Sequence, residues 1–194
     1  NIKRPDIDNI KIETRTKYSG DNGYLRYENE TLSPMPIPGS PGSYVANGSE
    51  HDPMGDTTHL PQRHLEMTNR RFSKLNLLEN ESYEKLNAKA EICLMPWGGS
   101  KGPSLEAYNL LVEEGVDLGW YYTMFINPLP EKLVEELKGK KLVLVPELNY
   151  QGQFSYFLRS HQINAHSLTQ YIGLPFKVSD LHGKIINALD YKRK

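Results

Sequence analysis

The later part of this 194-residue chain predicts an α/β domain with a doubly wound, mostly parallel sheet, and three observations carry that expectation. KLVLV (141–145) is a near-continuous apolar run, as a parallel strand covered on both faces requires. From Ala90 onward, short apolar runs alternate with amphipathic stretches of helical period, the pattern of βαβ units. The strong apolar runs all lie after Glu91, whereas residues 1–50 are rich in Pro, Gly, Asn and Asp. The expected organisation is an irregular N-terminal extension (1–50), a linker (51–90) carrying a helix over about 61–78, and the α/β domain (91–194).

Each element has its own signal. Ile7, Ile10 and Ile12 give one short strand-like candidate, and Tyr24, Leu25 and Tyr27 give another. SPMPIPGSPG (33–42) holds four prolines and two glycines and is expected to be extended or turning, since proline fixes φ and lacks a donor. A helix is predicted from Pro61, with Thr58 or His59 near its cap and a stripe of Leu65, Phe72 and Leu75. ENESYEKLNAKA (79–90) is polar and reads as a second helical stretch or a linker. Glu91–Met95 is a buried strand. PWGGSKGP is a loop, and Pro103–Glu114 a helix with Leu105, Tyr108, Leu111 and Val112 inward and Gly115 as its stop. Then come a strand at Asp117–Ile126, a helix at Pro130–Lys138, the strand at Lys141–Val145 and a helix at Gly152–Arg159. An edge strand at Ser167–Tyr171 and a closing helix at Ser179–Leu189 complete the series.

Bulk properties exclude several functions. A formal net charge of −1 gives no general attraction to nucleic acid or to an anionic membrane. Hydrophobic content of 38% and mean hydropathy of −0.61 are lean, and no apolar run approaches the about 18 residues of a membrane span. The opening NIKRPDIDNIKIE lacks the apolar core of a secretory leader, and a start at Asn rather than Met reads as a fragment or a processed product. A single cysteine, Cys93 in EICLM, supports neither a disulfide nor a cysteine-ligated cluster and fits a cytoplasmic protein.

The chemistry-bearing clusters are weak singly. His51, His59, His64, Asp52 and Asp56 fall within fourteen residues, but without the HExxH spacing, so no metal site is assigned. No serine sits in a nucleophile elbow, and no catalytic residue is assigned. The loop PWGGSKGPS joins a strand to a helix start, and with Lys101 it reads either as an anion site or as a structural turn. Glu147, Asn149 and Gln153 follow the KLVLV strand. They read either as interface or ligand groups at a strand end or as the residues that shape the turn.

Three segments taken together carry a resemblance: Ser33–Gly39 (SPMPIPG), Glu50-His51-Asp52 followed by Met67–Lys74 (MTNRRFSK), and Glu147–Gln153 (ELNYQGQ). They resemble the C-terminal half of the alpha subunit of 2-oxoacid:ferredoxin oxidoreductases of the 2-oxoglutarate type. The resemblance implies the tail of a pyrimidine-binding domain, a linker helix and a transketolase C-terminal-like α/β domain. It implies oxidative decarboxylation of a 2-oxoacid to acyl-CoA with ferredoxin reduction, using thiamine diphosphate, magnesium, an iron–sulfur cluster and coenzyme A. Those groups are expected in the full complex and not on this chain alone. The implied partners are the upstream part of the alpha subunit, a beta subunit and ferredoxin. This portion is expected to give subunit interface and active-site wall, with Met35, Glu50 and His51 as candidates for the substrate pocket. The family pattern carries an arginine where this chain has Met35, which makes that wall apolar. The competing expectation is a free-standing, non-catalytic α/β binding or assembly module with its anion site at the WGGSKG loop.

Overall fold

The computed structural model describes residues 24–28, 31–37, 42, 44, 46–78 and 82–191. The strand candidate at Ile7, Ile10 and Ile12 lies outside the described residues. The chain divides into two compact units, 1–79 and 80–194.

In the first unit, helix α1 (Pro61–Ser73) begins with Pro61 at its first position and passes into a 3₁₀ turn (Lys74–Leu77). The capping residue is Leu60, whose N–H is held by Thr58 Oγ1 at 3.3 Å. The expected stripe is corrected: Leu65 and Phe72 are 57% and 66% exposed, while Met67 is 4% exposed. Arg63, Met67, Arg70 and Lys74, spaced four, three and four apart, form the packed face. The aliphatic stems of basic residues cover surface that an apolar stripe would have covered. Tyr24, Leu25 and Tyr27 form no strand; they lie in a turn, where Tyr27 N–H donates to Pro53 O at 2.9 Å. Residues 50–58 form a tight loop closed by a bridge between His51 and Thr57. One carboxylate oxygen of Asp52 accepts the N–H groups of Met54, Gly55 and Asp56 at 2.9–3.1 Å and fixes that loop.

The second unit is one five-stranded sheet in the order β1-β3-β2-β4-β5. Its strands are β1 (Glu84–Leu86), β2 (Ile92–Leu94), β3 (Gly119–Tyr122), β4 (Leu142–Glu147) and β5 (Ala165–Thr169). All neighbours are parallel except β1, which runs antiparallel to β3 with Lys85 opposite Tyr121. Helices α2 (Lys101–Glu113) and α5 (Val178–Tyr191) contribute to one core, with Leu94, Trp120, Leu142 and Leu144 from the sheet. Helices α3 (Glu131–Lys138) and α4 (Gln153–Ser160) contribute to the other, with Cys93, Tyr121, Val143 and Val145. Alternate residues of each strand thus feed opposite cores, which makes the central strands apolar throughout.

The doubly wound class holds, with four differences in detail. β1 replaces the expected polar helix or linker; its three residues are exposed, so no apolar alternation marks it. It is held by Glu136, which accepts Tyr83 Oη and Lys85 Nζ, both at 2.6 Å, and Tyr121 Oη at 3.0 Å. β3 ends at Tyr122 rather than Ile126, because Thr123 Oγ1 takes Phe125 N–H at 3.1 Å and turns the chain. Val112 is 43% exposed, and Ala107 takes the inward place expected of it. α2 starts at Lys101, so Pro103 lies within its first turn.

Candidate functional site

From β2 the chain crosses through α2 to β3 on one side, and α3 then carries it to β4 on the other. The winding therefore reverses between β2 and β4, and their carboxyl ends diverge into a crevice. The crevice has a volume of about 190 Å³ and is lined by Trp97–Ser100 after β2, by Pro146 near the end of β4, and by Leu148, Asn149 and Gln153 beyond it. Ser100, 3% exposed, staples its walls: Oγ lies 2.8 Å from Trp97 O and 3.1 Å from Pro146 O. A second concavity of about 240 Å³ adjoins it, sharing Trp97 and Gln153 and adding Ile126, Asn127, Phe154 and Phe157. Trp97 packs on Phe154 with ring centroids 5.7 Å apart.

The turn after β4 is built around Glu147. Its carboxylate is fully buried and accepts five hydrogen bonds: Asn149 Nδ2 (2.9 Å), Phe154 N (2.8 Å), Ser155 N (3.0 Å), Ser155 Oγ (2.6 Å) and Ser167 Oγ (3.1 Å). Burial alone would raise its pKa; these donors outweigh it and hold the group below the usual carboxylate value. Asn149 Oδ1 accepts the N–H groups of Gly152 (2.7 Å) and Gln153 (3.1 Å). Gly152 has φ +68°, and a Cβ there would stand 2.7 Å from Ser167 Oγ, so only glycine brings α4 this close to β5.

Of the sequence candidates, Asn149 and Gln153 line the crevice. Glu147 is corrected: it secures the turn from within and presents no atom to a ligand. Lys101 is corrected too, since its ammonium does not serve the Gly98–Gly99 loop. It pairs with Glu84 at 2.6 Å and lies 4.2 Å over the Tyr122 ring. Trp97, Phe154 and Phe157 were not singled out in the sequence; only their convergence across β2, β4 and α4 marks them. The crevice carries apolar rings, backbone and amides but no titratable nucleophile, which suits it to holding or walling a ligand.

The remaining candidates belong to the first unit. Glu50 accepts Arg71 Nη2 at 2.5 Å and a short bond from His64, and these partners, Arg71 foremost, lower its pKa to about 2. The His51 ring, 9% exposed, packs at a tilt against Tyr27 with centroids 3.9 Å apart, and Nδ1 lies 3.1 Å from Asp52 O. Met35 is half-buried. Its segment is tied to the same cluster, since Arg70 donates to Ser33 Oγ at 2.9 Å and stands 5.7 Å from the Tyr27 ring.

The second unit is a doubly wound α/β domain with a crevice at the strand ends. No family model matches the chain. It is 32% identical over 172 residues to subunit alpha of 2-oxoacid:ferredoxin oxidoreductase 2 from Aeropyrum pernix, covering 82% of this chain and 27% of that protein. It is 32% identical over 152 residues to 2-oxoglutarate synthase subunit KorA of Methanocaldococcus jannaschii, covering 77% of this chain and 41% of that protein. A solved structure of 2-oxoglutarate:ferredoxin oxidoreductase from Magnetococcus marinus, with 2-oxoglutarate, coenzyme A and succinyl-CoA bound, matches with a TM-score of 0.80 and 31% identity. That match covers 96% of this chain and 34% of the other. The chain is therefore related, in sequence and in fold, to the alpha subunits of 2-oxoacid:ferredoxin oxidoreductases, in agreement with the resemblance carried by its three segments. It spans about a quarter to two fifths of the length of these curated relatives.

Proposed function

We propose that this chain serves as part of the alpha subunit of a 2-oxoacid:ferredoxin oxidoreductase, as subunit interface and active-site wall. The observation that carries this reading is the match over nearly the whole chain, in sequence and fold together, to an enzyme of that activity. The oxidative decarboxylation, the 2-oxoacid and the beta-subunit and ferredoxin partners all follow from that kinship, as does a cytoplasmic location. Among the described residues no helix is long and apolar enough to cross a membrane. In this reading the crevice around Trp97 and the exposed Phe72 on α1 meet other parts of the complex. Met35, Glu50 and His51 stand towards the substrate.

Thiamine diphosphate, magnesium, an iron–sulfur cluster and coenzyme A belong to the complex in this reading. The chain's own residues do not fit a cluster: its single thiol, Cys93, is 0% exposed, and burial pushes its pKa up to about 12, so it is held as a neutral core group. The rival reading, an anion-binding module at the WGGSKG loop, loses its charge to the Lys101–Glu84 pair.

The test is co-expression with the remaining alpha and beta portions, followed by an assay of 2-oxoacid- and coenzyme A-dependent reduction of ferredoxin. Assembly with such activity is expected; a chain that never joins the complex overturns the proposal. In the assembled enzyme, Met35→Arg should shift the ratio of kcat/KM between 2-oxoglutarate and pyruvate by about tenfold, as one hydrogen bond to a charged group would. An unchanged ratio places Met35 away from the substrate.

A further inference from the structure

We propose that the end of the sheet where β2, β3, β4 and β5 terminate is a permanent docking face for an apolar, uncharged surface of another polypeptide of the complex. The inference deepens the subunit-interface reading and rests on it for the partner. Because β2–β5 run parallel, the loops that follow them (95–100, 123–130, 148–152 and 170–176) all emerge at this one end. Together these loops contain no Asp, Glu, Lys, Arg or His, in a chain of which 24% is charged. What they carry instead is apolar and uncovered. Met124 is 76% exposed, Tyr150 72%, Ile172 69% and Leu174 60%, and Leu148 and Tyr171 are exposed as well. Exposed apolar residues scattered singly are ordinary, whereas six in three loops at one end of a sheet mark a site of association.

Charge complementarity decides the occupant. A metabolite bearing phosphate or carboxylate groups, or an anionic bilayer, calls for lysine and arginine, and these loops hold neither. Loss of charge together with aromatic and methionine side chains is instead the composition of the core of a protein–protein interface. Charged residues return at the margins, with Lys101, Glu131 and Lys177, as at the polar rim of such an interface. The matched stretch is only 27% and 41% of the two relatives' alpha subunits, so in those proteins there is much further polypeptide for such a face to meet.

The face has relief, and its loops are held from within. The concavity of about 240 Å³ between Trp97, Ile126, Phe154 and Phe157 is a socket for one aromatic or branched side chain of the partner. A further depression is lined by Tyr150, Tyr156 and Tyr171, and the rings of Tyr150 and Tyr171 meet edge to face at 4.9 Å. Thr123 Oγ1 accepts Phe125 N–H, and Asn149 Oδ1 accepts Gly152 N–H and Gln153 N–H. Gln170 Nε2 donates to Leu174 O and Pro175 O, both at 3.1 Å. Loops already set in this way lose little entropy when a partner docks.

The test is co-expression of the full chain with the remaining alpha and beta portions, as wild type, Met124→Glu, Ile172→Glu and Val112→Glu. Val112 is an equally apolar, 43% exposed control near the far end of α2. Met124→Glu and Ile172→Glu are each expected to weaken retention in the complex at least tenfold, and Val112→Glu to match the wild type. The isolated variants should keep the wild-type melting temperature, as exposed substitutions do. Independently of any variant, amide hydrogen exchange in 123–130 and 170–176 of the wild type should slow at least tenfold on assembly. A wild type that assembles with these loops unprotected, or with both glutamate variants retained equally, overturns the docking face and leaves the oxidoreductase reading standing. A wild type that never assembles removes that reading and this partner with it. Two further measurements on the isolated chain can also overturn the proposal. A dimer in sedimentation equilibrium that Ile172→Glu breaks would give the face to a second copy. Flotation with phosphatidylcholine–phosphatidylglycerol vesicles that Ile172→Glu abolishes would give it to lipid.

Discussion

Glu50 and Gly152 show how single residues hold this structure in place. Arg71 and His64 stabilise the Glu50 carboxylate, which lowers its pKa from 4.5 to about 2. A carboxylate with a depressed folded pKa contributes stability above its unfolded value and loses it as pH falls through the folded one. The wild type should therefore melt above Glu50→Gln at pH 6, with the difference shrinking between about pH 4.5 and pH 2. Melting curves across that range check it, and a difference independent of pH would show that the ion pair contributes nothing. Gly152 is a different case, in which a positive φ coincides with close approach to Ser167. Gly152→Ala should cost about 3 kcal/mol, from left-handed strain and overpacking together. Gly115 has φ +85° but open space around it, so Gly115→Ala should cost only about 1 kcal/mol. Urea denaturation of both variants separates the two terms; equal losses would mean that Ser167 simply moves aside.

Among the elements, α1 and β1 departed furthest from their sequence patterns, for related reasons. α1 turns its basic stripe inward around Met67, because the unit it packs in presents tyrosines and carbonyl oxygens rather than aliphatic chains. Met67→Ala should cost about 2–4 kcal/mol, the range for emptying a buried methionine site. Phe72→Ala should fall within about 0.5 kcal/mol in the isolated chain, as an exposed substitution does. Chemical denaturation of the two variants decides the matter, and a large loss at Phe72 would place the apolar stripe back in the core. β1 is a strand only because β3 offers it an edge and Glu136 ties down Tyr83 and Lys85. Nothing local distinguishes it from a polar linker. α2, α3 and α5 lie within about two residues of their expected bounds, since helical period and stop signals are local properties of the chain.

At the scale of the whole molecule, both apolar cores are built entirely from residues between 83 and 189. Residues 80–194 expressed alone should therefore unfold in one cooperative transition, observed as coincident circular dichroism and fluorescence curves. Non-coincident curves would show that the sheet needs the first unit. In the sequence, the alternation of apolar runs with helical stretches determined the doubly wound class, and KLVLV marked its central strand, because burial on both faces leaves no polar alternation. The three segments determined the kinship, since motif order survives where single residues vary. The position of Asn149 and Gln153 after the KLVLV strand was legible, and the structure has both lining the crevice at the strand ends. The tertiary structure alone decided that Trp97 and Phe154 share a wall, that Glu147 faces inward, and that Lys101 is already paired. These are matters of which distant groups meet. Secondary structure follows from contacts within a few residues, whereas a site is made by contacts tens of residues apart, which no local pattern records.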